Sequence, residues 1–96
     1  MKPIHPIVYE CDDFVYYLEK AHGMNFIHLT IKKFSHSIFK KMVLTVKEIS
    51  NNLETNLCAY AEDDSTYRLM EMAGFKNTEL VVHTSTGNTR RILCLQ

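Results

Sequence analysis

The amino-acid sequence predicts one α/β domain over residues 1–96, with a mixed, mostly antiparallel sheet in the order β-β-β-α-β-α-β-β. Three observations carry this. Residues 26–34, FIHLTIKKF, set Ile27, Leu29 and Ile31 on one face of a strand and Phe26, His28 and Thr30 on the other. Ile38, Met42, Val46, Ile49 and Leu53 then recur at helical spacing, and TNLCAYA (55–61) is short and uncharged, as suits a strand buried on both faces. A strand, a helix and a strand in succession imply a parallel crossover inside an otherwise antiparallel sheet.

The elements follow in order. PIVYEC (6–11) and FVYYLEK (14–20) are β-rich runs separated by Asp12 and Asp13, a short polar break that fits an antiparallel hairpin. AHGMN (21–25) carries a glycine for the next turn, into the strand at 26–34, so the chain begins as a three-stranded meander whose first strand is an edge. The helix is expected from 36 to 51, with Ser35 or Ser37 as its N-cap and Ser50, Asn51 and Asn52 favouring its end; Phe39 and Val43 widen its apolar stripe. Asp63 or Asp64 caps a second helix, STYRLMEMA (65–73), and Gly74 stands where a left-handed C-terminal cap belongs. TELVVHT (78–84) and TRRILCLQ (89–96) flank STGN as a closing hairpin.

Composition narrows the function classes. Hydrophobic residues make up 46% and charged residues 23%, which excludes a disordered chain. Eleven Lys and Arg balance eleven Asp and Glu, so no basic field covers the domain, although Lys32, Lys33, His36, Lys40 and Lys41 make a local cluster at the head of the first helix. No window approaches the roughly 18 apolar residues of a membrane span, and the start, MKPIHPIVYE, lacks a signal-peptide core, so no membrane association and a cytoplasmic setting are expected. Cys11, Cys58 and Cys94 are far apart, odd in number and set in apolar runs, which predicts reduced, buried thiols. His5, His22, His28, His36 and His83 show no i,i+4 pair and no Cys-x-x-Cys companion, so no metal site is expected; His28 and His83 read as surface or hydrogen-bonded strand residues. No G-x-S-x-G stretch supports a hydrolase.

The element order, together with LCAYAEDDSTYRLMEMAGFK and its closing Gly74-Phe75 pair, resembles the C-terminal two-thirds of the GNAT superfamily of acyltransferases, and is similar to the small GNAT-like proteins of tailed bacteriophages. The resemblance covers residues 6–96. It implies acyl-CoA as cofactor, its pyrophosphate held by a glycine-bearing loop at a helix N-terminus, and a tyrosine general acid four residues before the Gly-Phe pair. In this sequence the loop positions are 33–39, where Lys33, Ser35, His36 and Ser37 are the candidate cofactor contacts and His36, Ile38 and Phe39 crowd places that need bare backbone. The general-acid position holds Met70, with Tyr67 one turn earlier, and the family's first strand and two helices have no counterpart before Pro6. No catalytic residue is therefore assigned.

These departures predict a truncated GNAT-like domain that has lost acyl transfer and binds a macromolecular partner, as a phage accessory, virion or host-directed inhibitory protein in the host cytoplasm or virion. Six strands with only two helices leave sheet surface bare, which favours a protein contact and a homodimer. One alternative is a minimal acetyl-CoA-dependent N-acyltransferase using Lys33 and Tyr67; another is a nucleic-acid-binding module using Lys32, Lys33, Lys40 and Lys41.

Overall fold

The computed structural model describes residues 5–83, 85 and 87–95. Among them the elements fall in the expected order: β1 (Ile7–Glu10), β2 (Phe14–Ala21), β3 (Met24–Ile31), α1 (His36–Asn51), β4 (Leu57–Ala61), α2 (Asp64–Met72), β5 (Phe75–His83) and β6 (Thr89–Leu95). They build one six-stranded sheet in the order β1-β2-β3-β4-β6-β5. Only β3 and β4 run parallel among these neighbours; the fold is α/β with a mixed, mostly antiparallel sheet.

The first three strands form a meander with β1 at the edge. His22 (φ 54°) and Gly23 (φ 73°) turn β2 into β3, two successive left-handed residues that match the twist of the flanking strands. The register runs unbroken from Phe14 opposite Ile31 to Ala21 opposite Met24. It sets Phe14, Tyr16 and Leu18 with Ile31, Leu29 and Ile27 on one face, and Tyr17 and Glu19 with His28 and Phe26 on the other.

The helices cover the first of these faces. Met42 and Val46 of α1 are buried, Ile38, Ile49 and Leu53 pack beside them, and Tyr67, Met70 and Ala73 join the same core from α2. Phe14, Leu57 and Leu93 are wholly inaccessible beneath them. Ser35 caps α1, its Oγ accepting from the Ile38 N–H at 3.2 Å. Asp63 caps α2 by accepting from the Thr66 N–H at 2.7 Å, a bond that holds its carboxyl below the usual range. Gly74 (φ 102°) then turns the chain directly into β5. That strand begins at Phe75, earlier than the expected Thr78, because Phe75 is buried opposite Leu95. The register breaks between Asn77 and Val81, where Glu79 takes a left-handed φ of 67°. Thr84 and Gln96, the expected ends of the last two strands, lie outside the described residues, as do Thr86 of the turn and Pro3.

The opposite face carries a smaller cluster of Phe26, Cys58, Ile92 and Cys94, screened by the side chains of Met24, Tyr60 and Val82. The expectation of three reduced thiols is corrected here. The antiparallel register of β4 and β6 sets Cys58 directly opposite Cys94, with Cα atoms 4.0 Å apart, and the two form a disulfide. The Met24 sulfur touches Cys58 Sγ at 3.9 Å. Cys11 alone is a free thiol, and it is half-buried.

Candidate functional site

The parallel ladder between β3 and β4 is short. It joins Asn25 with Leu57 and Phe26 with Cys58, and then stops. Beyond that point β3 continues to Ile31, paired to β2, and β4 continues to Ala61, paired to β6, so two strand edges inside the sheet diverge without bonding to each other. The closed end is clamped by Asn25, which is 8% exposed and donates from Nδ2 to Thr55 Oγ1.

A cleft of about 380 Å³ occupies the opening. Ile27 and Ala59 line it from the strands, Met42, Val43 and Val46 from α1, and Leu69, Met70 and Ala73 from α2. Leu29, Ile31, Phe34 and Leu69 are its exposed lining residues. This volume lies in the range of small-molecule and peptide-anchor pockets, and its lining is overwhelmingly apolar. Unbonded backbone amides in an apolar cleft suit an elongated occupant that carries its own amides.

The residues singled out by sequence fall around this cleft in two ways. Lys33, Ser35, His36 and Ser37 are all exposed at the start of α1. The Ser35 hydroxyl serves as the helix cap and lies 3.1 Å from Ser37 Oγ, while the Lys33 backbone N–H donates to the Asp13 carbonyl at 3.1 Å. Phe34 and Phe39, rings 6.3 Å apart, are the members of this segment that reach the cleft. Within the basic cluster, Lys32 pairs with Glu10 at 3.7 Å, and Lys41 Nζ stands 6.0 Å from the centre of the Phe14 ring. Met70 presents a thioether to the cleft. Tyr67 packs into the core with the Arg91 guanidinium 4.7 Å over its ring, and Arg91 in turn donates to Asp64 at 2.9 Å.

Polar groups gather on the bare face beside the opening, among them His28, hydrogen-bonded within the sheet as the sequence predicts. His28 and Tyr60, on the two diverging strands, both line the cleft and stand with ring centroids 6.1 Å apart. Tyr60 stacks on Phe26 at 4.2 Å, and the Arg90 guanidinium lies 5.6 Å from its ring centre. Burial pushes the Tyr60 hydroxyl above its ordinary pKa, the Glu19 charge adds to this, and Arg90 opposes it. Arg90 Nε stands 2.5 Å from a Glu62 oxygen but is not aligned to donate to it, so the pair is a charge contact. His28 Nε2 lies 2.8 Å from Glu19 Oε1, and the His5 ring stacks on His28 with centroids 4.8 Å apart. The alternation of β3 already placed His28 opposite Ile27 and Leu29; its neighbours come from strand registers that no local pattern reveals.

Among the described residues no helix is long and apolar enough to cross a membrane. No protein-family model, curated protein or solved structure matches the chain.

Proposed function

We propose that this chain is a non-catalytic binding domain on a GNAT-like frame, and that it holds an extended segment of a protein partner between β3 and β4. One observation carries the reading: two unbonded strand edges face an apolar cleft of about 380 Å³. An extended peptide would satisfy the edge amides by strand pairing while its apolar side chains fill the space between α1 and α2. The GNAT-like part of the reading rests on the element order and the Gly74-Phe75 exit from α2. Loss of acyl transfer is supported by Met70 at the general-acid position, by the Arg91 guanidinium on Tyr67, and by Phe34 and Phe39 where a pyrophosphate needs open backbone.

A phage accessory or virion role remains part of this proposal, as does a homodimer. Ile7 and Val8 give the β1 edge exposed apolar surface, at 54% and 40%, while the shift in register between Ile7 and Tyr9 works against a long ladder there. The disulfide removes one support for a cytoplasmic setting, because cytosolic thiols are kept reduced.

The same cleft favours a second reading, acetyl-CoA binding by a minimal acyltransferase, since the pantetheine arm is also slender and carries amides. Isothermal titration with acetyl-CoA separates the two. The first reading expects no heat of binding; a micromolar Kd abolished by Ala59→Trp, which fills the cleft floor, would replace it with the second.

A further inference from the structure

We propose that His5, Glu19 and His28 form a binding site for a divalent transition-metal ion of the zinc class, on the bare face of the sheet. The inference does not rest on the proposed function, although His28 also lines the cleft.

Three separate elements bring the donors together. Glu19 of β2 and His28 of β3 are diagonal neighbours on one face, since Tyr17 sits opposite His28 and Phe26 opposite Glu19. The Leu18 N–H donates to the Pro6 carbonyl at 3.0 Å, which pins the chain just before β1 against β2 and holds His5 beside them. As a result, one potential ligand atom from each of the three residues lies within 4.8 Å of the others, and all three side chains are half-buried.

The chemistry fits the geometry. Two imidazoles and one carboxylate are the donor set that zinc and its neighbours accept, and three protein ligands leave a position for water. Two ligands at about 2.1 Å from a tetrahedral ion stand roughly 3.4 Å apart, so the donors are near enough to converge once the His5 ring turns out of its stack on His28, since parallel rings do not aim their in-plane lone pairs at one point. The carboxylate also supplies the negative charge that a dication needs. Among the described residues no lysine or arginine ion pair competes for Glu19: Arg90 pairs with Glu62, Arg91 with Asp64 and Lys32 with Glu10. Glu19 and His28 already meet at 2.8 Å, which holds the two donors side by side, and an ion entering between them takes the place of the proton they share. Sequence spacing conceals this set because positions 5, 19 and 28 share no helix and no short motif.

The experiment is zinc titration of the full chain by calorimetry in the oxidised form, with Cys11→Ser as background so that no free thiol competes. The expected result is one Zn²⁺ per chain with a micromolar or tighter Kd, weakened at least about tenfold by His5→Ala, Glu19→Gln and His28→Ala separately. His5 lies outside every strand, so His5→Ala is expected to keep the fold, with an unchanged Tm without zinc as the check. A second readout is the imidazole nitrogen spectrum, in which zinc shifts His5 and His28 and leaves His22, His36 and His83 in place. Absence of binding at millimolar zinc, or binding that survives both His5→Ala and His28→Ala, would overturn the proposal.

Discussion

The Tyr16 hydroxyl donates to the Met42 carbonyl at 2.8 Å, a buried bond that ties the second strand to the middle of α1 across 26 residues of sequence. Tyr16 is 4% exposed and lines the cleft floor, so the same side chain fixes the helix that forms one cleft wall. Tyr16→Phe keeps the ring and removes the donor. The Met42 carbonyl retains its place in the helix ladder, so the expected loss is only about 1 kcal/mol, read from urea unfolding at neutral pH. Burial raises the phenol's pKa above its ordinary value. A raised folded pKa stabilises the protein fully below the unfolded pKa and loses that contribution as pH climbs above it. Wild type should therefore lose stability beyond about pH 10 more steeply than Tyr16→Phe. Parallel alkaline curves for the two proteins would contradict this.

The disulfide makes a second expectation countable. In denaturant without reductant one thiol per chain, Cys11, should react with a thiol reagent, and all three after reduction. Because the bridge closes 36 residues of sequence, its removal should lower stability by about 3–4 kcal/mol on the chain-entropy account. Three reactive thiols in protein purified without reductant would dismiss the bridge.

Gly74 has φ 102°, a region that side chains rarely enter, and a Cβ there would stand 3.3 Å from Leu95 Cδ1. Both effects oppose Gly74→Ala, in contrast to an ordinary helical glycine, where alanine helps. The expected loss is about 1–2 kcal/mol, and thermal unfolding of the variant measures it. A raised Tm would show that α2 leaves its last turn by another path.

These positions also show what could be read from residues alone. The stripe from Ile38 to Leu53, the alternation along Phe26 to Ile31, the caps at Ser35 and Asp63 and the turn at Gly74 are local rules, and the fold obeys each. The disulfide, the divergence of β3 from β4 and the grouping of His5 with Glu19 and His28 depend on register between distant segments. Cys58 and Cys94 lie in apolar runs whichever residues they face, so burial was legible and the bond was not. Likewise, the polar residues between Lys33 and Phe39 stood out by charge and cap chemistry, yet Phe34 and Phe39 are what this segment contributes to the cleft. Apolar lining residues look the same as core residues until the strands beside them separate.

The closed end of the opening is itself open to test. Asn25 bonds Thr55 where the ladder between β3 and β4 begins, with Asn25 buried and Thr55 exposed. Asn25→Ala removes the clamp and leaves the backbone pairing at residues 25 and 26, the Phe26–Tyr60 stack and the Met24–Cys58 contact to join β3 to β4. Since water can replace the lost partner at Thr55, the global cost should stay near 1 kcal/mol. The local effect should be larger: amide exchange at Phe26, Leu57 and Cys58 should accelerate while the hairpin of β5 and β6 keeps its protection. Equal acceleration in both regions would mean that the strands part only when the whole domain unfolds, and the cleft would then be a fixed gap in the sheet with no hinge at its closed end.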